Sequence, residues 1–67
     1  MRTIDYDFIK NRRVTLGLSM QNVAEKLGFK NASTYLKYET GEYAFKADML
    51  PKLSDLFKCE IENFFTN

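Results

Sequence analysis

The side chains that most often carry catalysis are scarce in this chain, which has one cysteine, Cys59, and no histidine. A thiol without a histidine lacks its usual activating base, so Cys59 reads as a small core or interface thiol. Acid–base work by carboxylates needs a pair on one face. Glu60 and Glu62 are two positions apart and do not share a helix face. The three glycines are scattered and form no phosphate-cradling loop. The same counts exclude a Cys/His zinc site and an internal disulfide. No enzyme activity, metal, cofactor or small-molecule ligand is expected, which leaves non-covalent recognition. One stretch concentrates the features for it: LSMQNVAEKLGFKNASTYLKYETG, residues 18–41.

Helices must hold those residues in place. Asp5 suits the N-cap of a first helix that runs to about Leu16, with Gly17 just past its end. Ile9 and Leu16 face inward there, and the aliphatic stem of Arg12 can cover core surface. Ser19 caps a second helix, Met20 to Leu27, whose buried stripe is Val23, Ala24 and Leu27 and whose end is Gly28. Asn31 caps a third, Ala32 to Glu39, ended by Thr40-Gly41, with Tyr35 and Tyr38 inward. A loop from Gly41 to Ala47 follows, pinned to the core by Phe45. Asp48 caps a fourth helix to about Phe57, with Pro51 in its first turn, where a missing N–H costs little. Met49, Leu50, Leu53, Leu56 and Phe57 form its apolar face. A last short helix spans about Glu60 to Phe65. No segment alternates with period two, so the expected fold is all-α, a compact five-helix bundle.

The totals agree with one small unit. A chain of 67 residues has room for a single domain, residues 1–67. Six Phe and four Tyr must supply much of its core volume. No apolar run approaches the roughly 20 residues of a membrane span, and MRTIDYDF lacks the apolar stretch of a signal peptide. A soluble, cytoplasmic domain is therefore expected. The formal charge of +1 conceals an asymmetry. Residues 1–46 carry eight basic against five acidic side chains, whereas residues 47–67 carry two against four. Such a split suits a basic working face and an acidic back.

Within residues 18–41, a capped helix with a small residue mid-face, a glycine turn and a second capped helix make a helix-turn-helix signature. Two helices joined in this way let the second lie in a major groove while the first crosses the backbone. The wider pattern, IKNRRVTLGLSMQNVAEKLG followed by YETG and LPKLSDLF with a closing FF, resembles the Cro/C1 repressor family of phage and bacterial regulators, the Xre-type helix-turn-helix. The likeness runs from about Ile9 to Phe65. It is carried by Arg13, Gly17-Leu18-Ser19, Ala24, Leu27-Gly28, and Glu39 two residues before Gly41. It implies a five-helix domain of the lambda-repressor-like type that binds double-stranded operator DNA, usually as a symmetric homodimer, to control transcription.

The resemblance also assigns roles. Arg13 and Glu39 match a family ion pair joining the first helix to the end of the recognition helix; if shielded, losing one partner costs of order 3–5 kcal/mol. Ser19 matches a cap whose helix N-terminus meets a phosphate. In the third helix Asn31, Ser33, Thr34 and Lys37 are the implied DNA readers, with Asn31 also serving as cap. Leu36 can touch a thymine methyl or pack on its neighbours. Lys10, Arg12, Lys30 and Lys46 are candidate phosphate clamps.

Four departures bear on those roles. Met20 stands where many members have a DNA-contacting glutamine, with Gln21 one residue later as the remaining candidate. Phe29-Lys30 lengthens the turn by one residue, Glu42 replaces a helpful basic residue, and Lys58 replaces a common glycine. Ile61, Phe64 and Phe65 are the candidate dimer patch. The expected function is sequence-specific binding of a palindromic operator by a homodimeric regulator, a repressor in type. The alternatives are a protein-interaction module on the same fold, such as an antitoxin or anti-repressor partner, and the N-terminal domain of a longer repressor.

Overall fold

A computed structural model describes residues 3–66. The elements in chain order are β1 (Thr3–Ile4), α1 (Tyr6–Thr15), α2 (Met20–Lys26), α3 (Ala32–Glu39), α4 (Met49–Phe57), a 3-10 turn (Ile61–Phe64) and β2 (Phe65–Thr66). Local chemistry explains the first three helices. The Asp5 side chain accepts from the Phe8 N–H, and the Asn31 side chain accepts from the Thr34 N–H. Ser19 and Asn22 form a reciprocal capping box, each side chain accepting from the other's backbone N–H. The helix bounds fall within a residue of expectation, with Leu16 and Leu27 as C-caps rather than last helical residues.

The turn between α2 and α3 is closed by backbone geometry that needs glycine. Gly28 sits at φ 87°, its N–H donates to the Glu25 carbonyl (3.1 Å), and the Phe29 N–H donates to the Ala24 carbonyl (2.8 Å). That pair of bonds satisfies the carbonyls left open at a helix end. The turn also carries packing: Phe29 stacks on Tyr38 at 5.3 Å with 6° between planes, tying the turn to the inner face of α3.

The core consists of Ile9 from α1; Val23, Ala24 and Leu27 from the α2 region; Tyr35 and Tyr38 from α3; Met49, Leu53 and Phe57 from α4; and Phe64. Phe45 is half-buried and plugs the loop as expected, its ring 5.7 Å from Tyr38 and 6.5 Å from Tyr6. Gly41 lies against that corner; a Cβ there would come within 3.2 Å of the Tyr6 ring.

Three expectations are corrected. The fifth helix is replaced by the short 3-10 turn, so the described residues hold four α-helices. The fold is mostly helical but not all-α, because β1 and β2 pair antiparallel in the register Thr3↔Thr66 and Ile4↔Phe65. Strands two residues long leave no alternation to detect, and their pairing joins the two ends of the chain. Finally, Asp48 is not a capping side chain. It is itself in the right-handed helical region and makes no side-chain cap bond, while the Met49 N–H is taken by the Lys46 carbonyl at 3.0 Å.

Candidate nucleic-acid interface

Helix α3 has one buried and one open side. Tyr35, Tyr38 and Glu39 are buried, Ala32 and Thr34 half-buried, and Ser33, Leu36 and Lys37 exposed. An ion pair fixes how that helix sits. Arg13 Nε donates to both carboxylate oxygens of Glu39, at 3.2 Å to Oε1 and 3.1 Å to Oε2, and Arg13 Nη1 donates to the Leu18 carbonyl at 3.0 Å. Both residues are buried. Arg13 therefore links α1, the α1–α2 turn and the last residue of α3.

The tip of α3 gathers three of the expected readers. Asn31 Oδ1 accepts from the Thr34 N–H (3.1 Å), from Thr34 Oγ1 (3.0 Å) and from Ser33 Oγ (2.7 Å). With both hydroxyl protons directed to Asn31, the Ser33 and Thr34 oxygens keep acceptor capacity, and the Asn31 amide nitrogen is the donor end of the cluster. Asn31 is thus the cap and a member of this polar cluster at once.

Lys37 occupies a second position on the open face. Its Nζ lies 3.5 Å from Tyr43 Oη and 5.3 Å from the centre of the Tyr43 ring, a cation–π arrangement. Tyr43 is held in turn: its N–H donates to the Lys37 carbonyl (3.0 Å), and its ring meets Tyr38 edge-on at 5.4 Å. Sequence reasoning missed Tyr43. It lies in a loop where helical periodicity assigns no face, and only its aromatic type so close to Lys37 offered a signal.

On the other flank of α3, Leu36 lines a cleft of about 330 Å³ together with Tyr6, Asp7, Lys10, Met20, Glu39 and Thr40. This brings Lys10 beside α3. Lys30 is exposed in the turn that precedes Asn31, and Lys46 is exposed in the loop before α4. Ser19 lies at the start of α2 with its hydroxyl accepting from the Asn22 N–H, and Gln21 Nε2 donates along α2 to Glu25 Oε2 at 3.2 Å. No hydrogen bond among the described residues joins Ser19 or Gln21 to the Asn31 cluster.

Arg12 has other partners. Its Nε donates to the Phe57 carbonyl (2.9 Å) and its Nη2 to the Lys58 carbonyl (3.2 Å). A guanidinium there satisfies open carbonyls and complements the negative end of the helix dipole. The dimer patch also changes: Phe64 is fully buried, with its ring 6.1 Å from Phe8 and 6.2 Å from Phe57. A side chain closing the core cannot also present a surface, so Phe64 leaves the candidate set. Phe65 is half-buried in β2, and Ile61 is exposed.

Burial pushes the half-buried Cys59 thiol up from its ordinary value, against the opposing effect of Arg12 and with the help of Glu60. Among the described residues no cluster of three metal-capable side chains occurs, and no helix is long and apolar enough to cross a membrane.

A helix-turn-helix family model matches residues 9–64. The chain belongs to the Cro/C1-type helix-turn-helix family. The match runs from within α1 through the 3-10 turn and includes all of α3 and the Arg13–Glu39 link. No curated protein matches the chain. A helix-turn-helix of this type is a DNA-binding domain of transcriptional regulators and not typically an enzyme. Phe29 and Lys30 separate Gly28 from Asn31, and α3 begins at Ala32 under an Asn31 cap.

Proposed function

We propose that this helix-turn-helix protein is a repressor that binds a palindromic operator as a homodimer, with α3 in the major groove of each half-site. The observation that carries the reading is the clamped helix with a polar open face. The Arg13–Glu39 pair and the buried tyrosines fix α3, and Asn31, Ser33, Thr34, Leu36 and Lys37 lie along its tip and outer side. Hydrogen-bonding side chains of this reach suit base edges in the major groove.

Lys10, Lys30 and Lys46 supply phosphate contacts, and Ser19 adds one at the start of α2. Gln21 extends the groove contact from α2. We assign Arg12 to the end of α4 instead, because its guanidinium already engages the Phe57 and Lys58 carbonyls. One module offers few contacts, so affinity requires two, set about one helical turn of DNA apart. Ile61, with the edge of Phe65, is the proposed part of the surface that joins them.

The test is binding to the protein's own promoter region across a salt series. Three lysines per protomer give about six neutralised phosphates in a dimer, so log affinity should fall against log salt with a slope of roughly −5. Absence of binding at low salt would overturn the reading. Sedimentation at increasing concentration, with and without DNA, tests the dimer; a strict monomer in both would refute it.

A further inference from the structure

The cleft beside α3 has an apolar wall. Leu36 is 39% exposed and lies one helical turn from both Ser33 and Thr40. It therefore borders the open face on the side toward α1. Met20, the first residue of α2, lines the same cleft while packing against the core. Neither side chain carries a hydrogen-bond donor, and the thioether is at best a weak acceptor.

An apolar pair at that position discriminates among the groups a major groove presents. Base edges offer donors and acceptors at every pair, and one apolar group, the C5 methyl of thymine. Covering a polar edge with Met20 and Leu36 would strip its hydration without replacing the hydrogen bond, which is unfavourable. Covering a methyl removes apolar surface from water, which is favourable. The surrounding charges balance and leave no uncompensated negative group to repel a strand of DNA. Lys10 stands on the cleft and offsets Asp7, three residues earlier in α1, and the Glu39 carboxylate is already engaged by Arg13.

We infer that Met20 and Leu36 form a slot for a thymine methyl, which makes one T·A pair in each half-site a specificity element. The inference rests on α3 lying in the major groove as proposed above. It adds the chemical identity of the group read on this flank, and it gives Met20 a role in selection rather than in packing alone.

The experiment uses the full chain and DNA enriched by it from a randomised duplex pool at low salt. In the enriched sequence each thymine is replaced, one at a time, by deoxyuridine, which removes only the methyl. Affinity should drop about fourfold per half-site at one thymine position, the effect of burying one carbon group. The drop should vanish with Leu36→Ala and shrink with Met20→Ala; thermal melting of both variants confirms that they fold. If every thymine tolerates deoxyuridine, or the Leu36→Ala protein shows the same drop, the slot is overturned while operator binding stands. If the variants lose affinity equally for every sequence, the cleft reads no base, which also overturns it. If the pool yields no enriched sequence at all, the operator reading itself fails and this inference with it.

Discussion

Arg13 and Glu39 meet through a single nitrogen: Nε lies 3.1 and 3.2 Å from the two carboxylate oxygens, and both residues are buried. The pair is the only charged link between α1 and the far end of α3 among the described residues, so it acts on the angle of α3 as well as on stability. Removing one partner strands a shielded charge. Arg13→Ala and Glu39→Ala should each lower unfolding free energy by about 3–5 kcal/mol. The double change Arg13→Met with Glu39→Leu should cost less than the two single losses combined, because it leaves no charge unpaired. Urea denaturation measures all three; single losses under about 1 kcal/mol would show the pair to be solvent-relieved.

Lys58 provides a stability prediction of opposite sign. It ends α4 in the left-handed region, at φ 53° and ψ 48°, where a side chain is strained and glycine is not. Its carbonyl accepts from Arg12, and that bond needs no lysine side chain. Lys58→Gly should therefore raise stability by about 0.5–1 kcal/mol, less than the full strain because the unfolded chain gains freedom. The check is a shift of the denaturation midpoint to higher urea with unchanged slope. A shift to lower urea would mean that the lysine side chain makes a contact worth more than the strain.

Tyr35 is fully buried, and its hydroxyl has no hydrogen-bond partner. Burial first, and the nearby Glu39 carboxylate second, raise its pKa well above the ordinary phenol value of 10.0, with Arg13 opposing. For a group raised on folding, the associated stability is complete below the unfolded pKa and is lost as pH rises above it. The protein should accordingly lose stability as pH rises beyond about 10, the ordinary phenol pKa. Tyr35→Phe should blunt that alkaline loss, and at neutral pH it should be neutral or stabilising by up to about 1 kcal/mol, since it removes an unsatisfied polar atom. Thermal melts of both proteins across neutral to alkaline pH decide it; a Phe variant clearly weaker at neutral pH would show that the hydroxyl is satisfied.

Much of this was legible in the chain because the controlling interactions are local. Asp5, Ser19 and Asn31 cap over three residues, and Gly28 closes a turn that needs positive φ, so the starts of α1, α2 and α3 follow from spacing alone. The less legible features depend on partners distant in sequence. The β1–β2 ladder joins the chain ends, Phe64 is placed in the core by Phe8 and Phe57, and Arg12 is drawn to carbonyls at the end of α4. Asp48 looked like a cap by type, but Pro51 stands three residues on and has no N–H for its side chain to accept from, and Asp48 is itself in the helical region. The polar residues around Asn31 were visible; their hydrogen-bond pattern was not, because hydroxyl orientation depends on the bend of the backbone at the cap.

Lys37 and Tyr43 give the last prediction, which bears on specificity. If Lys37 reads a base edge, Lys37→Ala should lower discrimination at one base pair of the half-site by about 1–3 kcal/mol while leaving other positions intact. A lysine that touches only phosphate would instead weaken all sequences alike and reduce the salt slope by about one. Tyr43 should act through Lys37, since the ring sits 5.3 Å from the ammonium and its backbone N–H is bonded to the Lys37 carbonyl. Tyr43→Phe keeps the ring and should be nearly silent. Tyr43→Ala should cost about two- to fivefold in affinity, the range of an exposed cation–π contact, at the same base pair that Lys37 reads. In the Lys37→Ala background, Tyr43→Ala should add nothing, because the group it positions is already gone. Competition binding against a panel of single base-pair variants measures the whole set. A Tyr43→Ala loss that persists without Lys37 would make the tyrosine a DNA contact in its own right, and would sink its assignment as a support for the lysine.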